Sequence, residues 1–74
     1  MESLLAYLNA LSVPDQQAFA RRVGTSLNYL RQAAYNGKTP KPERCVAIER
    51  ASDGKVTRQM LRRDWRKIWP ELAA

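Results

Sequence analysis

The sequence predicts an all-α protein, a compact bundle of about five short helices. Apolar residues recur at helical spacing, and turn-forming glycines and prolines separate the periodic segments. The apolar–polar alternation typical of strands is scarce. The 74 residues are 45% hydrophobic and 27% charged, the balance of a folded globular protein. We therefore expect one domain, spanning residues 1–74, with a small core.

The predicted helices begin and end at residues that favour caps and turns. Pro14 and Pro42 suit the first position of a helix, where a missing N–H costs nothing. Gly24 is suited to end the second helix in a left-handed conformation, and Asn36-Gly37 to end the third. The predicted helices span residues 3–11, 14–22, 25 or 26 to 35, 42–51 and 58–69.

The charge of the chain favours a polyanionic partner. Thirteen Lys and Arg residues stand against seven Asp and Glu, which gives a net charge of +6. No basic residue precedes Arg21, so the positive charge belongs to the remainder of the chain. The alternative is that these side chains only keep the surface solvated.

Residues 16–33 have the spacing of a DNA-binding helix-turn-helix. Ala20 is small where two helices would cross, and Gly24 tolerates the positive φ of a tight turn. Apolar residues at helical spacing would lock the pair of helices together. These residues are Phe19, Val23, Leu30 and Ala33.

The third helix is predicted to present one polar face to solvent. At about 100° per residue, four side chains fall in one sector of about 100°; they are Asn28, Arg31, Gln32 and Tyr35. Arg31 can donate two hydrogen bonds to guanine, and Asn28 or Gln32 can pair with adenine. Leu27 borders this sector, where it could contact a thymine methyl group or pack into the core. The packing side is predicted to carry Tyr29, Leu30 and Ala33.

The residues that flank this face are predicted to contact DNA phosphate. Gln16 and Gln17 begin the preceding helix, where side chains and backbone amides often reach the DNA backbone. Lys38, Thr39 and Lys41 follow the reading helix in a stiff basic linker. The expected ligand is therefore double-stranded DNA, read through the major groove.

The C-terminal helix leaves two interpretations open. Leu61, Trp65, Ile68 and Leu72 fall on one helical stripe, which could complete the core of the monomer. Alternatively, Trp65, Ile68 or Trp69 could form a dimer contact, because aromatic anchors are favoured at interfaces. In that case we expect a weak homodimer, formed either in free solution or on DNA.

Several site types have no support in the sequence. Histidine is absent and Cys45 is the one cysteine, so we expect no metal, no cofactor and no enzyme activity. Cys45 is expected to be a small buried side chain in a reducing compartment. There is no apolar run long enough for a membrane span, and the start is acidic at Glu2. We expect a cytoplasmic protein with no membrane or small-molecule partner.

The sequence resembles the Cro-type repressors of phages and prophages, in particular the YdaS-like group. The residues that carry the resemblance lie between Phe19 and Asp64: Ala20-Arg21-Arg22-Val23-Gly24-Thr25-Ser26, Tyr29-Leu30, Asn36-Gly37, Ile48-Glu49-Arg50-Ala51-Ser52, Gly54, Val56-Thr57 and Leu61-Arg62-Arg63-Asp64. The resemblance implies a lambda-repressor-like fold, a DNA operator as ligand and repression by a dimer in a bacterial cell, associated with the nucleoid. It also implies base or backbone contacts from Ser26, Leu27, Asn28, Arg31, Gln32 and Tyr35; we assign Ser26 to phosphate.

Two departures from the group and two rival functions remain. Arg63 stands where the group favours proline, so we expect the last helix to run unbroken. Thr25 stands where an apolar residue is commoner, which would loosen the turn.

One rival function is the DNA-binding antitoxin of a toxin–antitoxin pair. The other is a basic protein-interaction module with an acidic protein as partner.

Overall fold

Six α-helices and a C-terminal 3₁₀ helix make up the regular structure of residues 2–37 and 39–73, the part of the chain that the computed structural model describes. The predicted all-α class is confirmed for these residues. Among these helices, none combines the length and the apolar character that crossing a bilayer requires. The helices are α1 (Glu2–Asn9), α2 (Val13–Val23), α3 (Leu27–Asn36), α4 (Pro42–Ala51), α5 (Arg58–Leu61) and α6 (Trp65–Ile68), followed by the 3₁₀ helix Pro70–Ala73.

Hydroxyl side chains cap the N-termini of three helices. Ser12 Oγ accepts a hydrogen bond from the Asp15 amide at 3.3 Å at the start of α2. Ser26 Oγ accepts one from the Tyr29 amide at 3.1 Å at the start of α3, so Ser26 rather than Thr25 is the cap. Thr57 does the same for α5. Each cap satisfies an amide that the first turn of a helix leaves without an intrahelical partner.

Gly24 makes the predicted left-handed turn between α2 and α3, with φ of 89°. Its amide donates to the carbonyls of Ala20 and Arg21, and the Thr25 amide donates to Ala20 O at 3.0 Å. This is the Schellman arrangement, which satisfies carbonyls at the end of a helix. A Cβ built on Gly24 would meet no atom within 4 Å, so the backbone conformation alone selects glycine here.

The core lies where the helices converge. The helix α2 packs against α3 and α4, while α1 packs against α3 and α5. The Phe19 ring meets Tyr7 edge-to-face with centroids 5.0 Å apart. Cys45 is buried, as expected, and burial raises the pKa of its thiol to about 11. The buried cluster comprises Leu4, Leu8, Phe19, Ala20, Val23, Leu30, Ala34, Cys45, Ile48, Val56, Leu61 and Trp69.

Polar side chains hold the turn between α4 and α5. Ser52 is buried, and its Oγ accepts a hydrogen bond from the Val56 amide at 3.0 Å. Glu49 Oε1 accepts one from the Arg58 amide at 2.9 Å, and its other oxygen lies 3.3 Å from the Arg58 guanidinium. These contacts keep Val56 in the core and bring the start of α5 against the end of α4.

The prediction of an unbroken last helix over residues 58–69 is wrong. The helix α5 ends at Leu61, and Arg62 adopts an extended conformation with φ of −136° and ψ of 130°. The Arg62 guanidinium donates to both carboxylate oxygens of Asp64, at 2.8 and 2.9 Å, and to Pro40 O at 2.6 Å. A tertiary contact to the α3–α4 linker therefore accompanies this break, although residue 63 is an arginine and not a helix-breaking proline.

The three residues predicted to form a dimer contact differ in their burial. Trp69 is only 9% exposed and belongs to the core, with the Arg58 guanidinium 5.3 Å from its ring centroid. The core of the monomer already covers most of this ring, which argues against the predicted dimer contact of Trp69. Trp65 and Ile68 are half-buried at the edge of that core, where a dimer contact stays a prediction.

We expect Gly24→Ala to lower the free energy of unfolding by about 1–2 kcal/mol, since an L-residue with a Cβ pays roughly this in the left-handed region. Gly24→Asn should cost less, because asparagine enters that region more readily. Urea unfolding followed by circular dichroism measures both. Equal stability of the alanine variant and the wild type would show that the turn does not require the φ of 89°.

Candidate nucleic-acid interface

The helix α3 has one buried side and one exposed side. Leu30, Ala33 and Ala34 are at most 3% exposed, and they lie on the side that faces the core. Ala34 was not among the predicted core residues, although its helical position lies between those of Leu30 and Leu27. Since α3 packs against α1 and α2 on this side, its opposite side is left to solvent.

Four of the five side chains predicted to contact bases are exposed on α3. Asn28, Arg31 and Gln32 are exposed, and Tyr35 is exposed to 71%. The face that the helical period predicted is therefore accessible in the folded chain. Leu27 is half-buried and packs against the core, which favours the core role of the two that the sequence left open.

Arg31 makes a contact that the sequence did not predict. Its Nη2 donates a hydrogen bond to Gln16 Oε1 at 2.6 Å, which joins α3 to α2. Gln16 is only 7% exposed, and its Nε2 donates to the backbone carbonyls of Leu8 at 2.8 Å and Leu11 at 3.1 Å. The predicted phosphate contact of Gln16 conflicts with this arrangement, because both ends of the amide already have partners inside the protein.

Tyr29 is a second departure from the predicted packing side of α3. The residue is 37% exposed, and the Arg44 guanidinium lies 5.0 Å from its ring centroid. A cation over an aromatic face is an attractive contact, and it joins α3 to α4. Because the two residues belong to different helices, no spacing rule within either helix could have paired them.

The remaining residues predicted to contact phosphate lie around α3. Gln17, Ser26, Thr39 and Lys41 are exposed, and the Ser26 hydroxyl also caps α3. Lys38 lies outside the described residues. Gln17 stands in the first half of α2, whereas Thr39 and Lys41 follow the C-terminal end of α3. The candidate interface therefore consists of the exposed side of α3 with groups at both of its ends.

The linker after α3 is held by the turn between α5 and α6. Pro40 is fully buried, and its carbonyl accepts the hydrogen bond from Arg62 described above and one from Cys45 Sγ at 3.6 Å. The hydrogen bond from Arg62 lowers the pKa of the Asp64 carboxyl below its ordinary value. These hydrogen bonds from Arg62 position Thr39 and Lys41, which stand between the end of α3 and the start of α4.

A cleft opens between this linker and the turn between α5 and α6. Its walls come from the end of α3, the linker and the α5–α6 turn, and Arg63 is the exposed basic residue in it. In residues 2–37 and 39–73, no group of three or more side chains is arranged to hold a metal ion. The residues that line the cleft are Gly37, Thr39, Met60, Leu61, Arg62, Arg63 and Asp64.

The two helices about Gly24, with a polar helix face on the outside, define a small helix-turn-helix protein. The family model described as bacterial toxin YdaS matches residues 11–68, most of the 74-residue chain. The chain belongs to this family, and the predicted resemblance to the YdaS-like group is confirmed. It is thus a phage- or prophage-type regulator or a toxin–antitoxin-related protein. No curated protein matches the chain significantly.

We expect Asp64→Asn to make the stability of the protein less sensitive to acid. Because Arg62 holds the folded-state pKa of Asp64 below the ordinary value of 3.8, the carboxylate stabilises the fold at neutral pH. That contribution is lost as the pH falls below this value toward the folded-state pKa. The variant should be less stable than the wild type at pH 7 and should lose less stability on acidification.

Urea unfolding at several values between neutral and strongly acidic pH measures this difference. Asp53→Asn is the matched control, because it removes an exposed carboxylate from a turn residue with φ of 55°, a conformation that asparagine accepts. Parallel acid profiles for Asp64→Asn and the wild type would contradict the role of the Arg62–Asp64 pair.

Proposed function

We propose that this protein is a sequence-specific DNA-binding transcriptional regulator, a Cro-like repressor that inserts α3 into the major groove of an operator. The observation that carries the proposal is the exposed side of α3, where Asn28, Arg31, Gln32 and Tyr35 lie together beyond the Gly24 turn. The proposed activity is binding, carried out in the cytoplasm of a bacterial cell.

The chemistry of this face suits base recognition. The major groove admits an α-helix, and each base pair presents a distinct pattern of donors and acceptors there. Arginine pairs with the two acceptors of guanine, while asparagine and glutamine match the donor and acceptor of adenine. Tyr35, at 71% exposure near the end of α3, can reach a phosphate or a base edge at the wall of the groove.

The charge of the protein supports binding to the DNA backbone. Two arginines of the C-terminal part have internal carboxylate partners, Glu49 for Arg58 and Asp64 for Arg62. The net charge is nevertheless +6, and Lys41 is exposed beside the reading helix. Neutralising phosphates with such groups releases counterions and gives salt-dependent affinity.

The proposal includes a homodimer, in which a second copy of the chain binds beside the first. Trp65 and Ile68 are half-buried at the edge of the core, so part of each side chain is available to a partner. A two-fold dimer would place two reading helices on the half-sites of a palindromic operator. We propose that this homodimer is weak and forms on DNA.

The description of the family as bacterial toxin YdaS favours a second candidate function. In this alternative the protein acts within a toxin–antitoxin pair, as the DNA-binding antitoxin or as the toxin itself. Production of the chain in a bacterial host, with growth measured, tests it. Growth arrest by the wild type but not by Arg31→Ala would mean that toxicity acts through DNA.

Selection of bound sites from random DNA duplexes tests the main proposal. We expect a preferred site to be enriched, and a palindromic site would indicate that two copies bind. If duplexes are retained but no sequence is enriched, the function is binding to DNA without sequence preference. If duplexes are not retained and an acidic protein is bound instead, the chain is a protein-interaction module.

We expect Arg31→Ala and Gln32→Ala each to cost about 1–3 kcal/mol of affinity for the selected site and to relax the preference at one base pair. Each variant removes a side chain proposed to contact a base edge. Fluorescence anisotropy with the selected and a scrambled duplex measures both quantities. Gln59→Ala, at an exposed position of α5, is the control and should behave as the wild type. Unchanged preference in both variants would place the reading face elsewhere.

We expect Lys41→Ala to weaken binding to selected and scrambled duplexes equally and to reduce the slope of log affinity against log salt by about one, since one phosphate contact is lost. The side chain makes no capping bond at the start of α4, so the substitution should leave the helix intact. Lys55→Ala removes the same charge from the turn after α4 and is the matched control. A salt slope equal to that of the wild type would exclude Lys41 from the phosphate contacts.

A further inference from the structure

Gln16 is a buried amide that joins three helices through all of its polar atoms. As described above, its Nε2 donates to Leu8 O and Leu11 O, and its Oε1 accepts from Arg31 Nη2. The residue is 7% exposed and stands in the first half of α2.

The partners of Gln16 determine which way its amide points. Backbone carbonyls can only accept hydrogen bonds, and a guanidinium can only donate them. The opposite orientation would place the amide oxygen against two carbonyls and the amide nitrogen against the Arg31 guanidinium. The network therefore has one stable arrangement, with Oε1 directed at Arg31.

The contacts of Gln16 to α1 make its Oε1 a fixed hydrogen-bond acceptor. The helix α1 ends at Asn9, and the Leu8 carbonyl in its last turn accepts a hydrogen bond from the Leu11 amide at 3.0 Å. Gln16 Nε2 is a second donor to the Leu8 carbonyl, and it also donates to that of Leu11 just beyond the helix. Because these two bonds hold the amide in place, Gln16 Oε1 is presented to Arg31 without the mobility of a surface side chain.

An arginine held in this way is prepared for base recognition. Arginine has many rotamers, and a free side chain loses this rotamer entropy when it binds. The bond to Gln16 uses one of five N–H donors, so the others remain available to a base edge. The same bond limits the directions in which the guanidinium can point from α3.

We infer that Gln16 is a positioning residue that orients Arg31 and thereby determines the base that α3 prefers. This inference rests on the proposed function. Gln16 contacts no base itself; it acts through the guanidinium of Arg31. If Gln16 had a purely structural role at the end of α1, its substitution would affect stability alone. If Gln16 held Arg31 away from DNA, its substitution would increase the affinity for DNA.

The test is a double-mutant cycle of Gln16→Met, Arg31→Ala and the double variant. The affinity of each protein is measured for the selected duplex and for duplexes altered at the base pair where Arg31→Ala relaxes the preference. Methionine has a similar length and removes both the donors and the acceptor. We expect Gln16→Met to reduce the preference about threefold to thirtyfold, which lies within the range for residues that share one hydrogen-bond network. In the Arg31→Ala background, Gln16→Met should leave the preference unchanged.

Gln17→Met is the matched control, one residue further along α2 and exposed. It can lower the affinity for all duplexes equally, but it should leave the preference between them as in the wild type. An unaltered preference in Gln16→Met, or an equal loss with and without Arg31, overturns the inference while the proposed function stands. If the wild type shows no preference for any DNA sequence, both the proposed function and the inference are overturned.

A measurement on the wild type covers the case in which Gln16→Met does not fold. Nuclear magnetic resonance of the arginine side chains, without DNA, should show restricted rotation of the Arg31 guanidinium and free rotation of Arg21, an exposed arginine of α2. Equal mobility of the two side chains overturns the inference.

Discussion

The left-handed backbone at Gly24 is the constraint on which the rest of the structure depends. It ends α2, satisfies the last carbonyls of that helix and starts α3 within three residues. Ala20, at 2% exposure, is small enough for the two helices to meet closely at this turn. Because the turn brings the apolar side of α3 onto α1 and α2, the polar side of α3 has to face solvent.

The basic residues of the chain have two different uses, which composition alone cannot separate. Arg22 donates to the Ala51 carbonyl at 3.2 Å, so it joins α2 to the end of α4. Arg58 and Arg62 likewise bind a carboxylate or a carbonyl of another element. Guanidinium groups are suited to this work, because several donors in a rigid plane can bind acceptors from different helices at once. Such arginines build the fold that carries the remaining positive charge.

The exposed face of α3 was predictable, whereas the network beneath it was not. Asn28, Arg31 and Gln32 share a side because of the helical period, which is a local property of the chain. The contact between Arg31 and Gln16 spans fifteen residues and depends on how α2 and α3 pack. Gln16 was placed among the phosphate contacts because its position in α2 is all that the sequence reveals. Its burial follows from the end of α1, which lies over it.

The sequence by itself determined the class of the fold, the bounds of α4 and the positions of the turns that precede α5. These depend on backbone preferences of single residues, such as Gly24 and Pro42, and on the spacing of apolar side chains. Only the tertiary structure decided that the last helix breaks at Arg62, that Trp69 lies in the core and that Arg31 is bound by Gln16. The reason is physical: each of these outcomes depends on contacts between residues distant along the chain, which form only after the helices have packed.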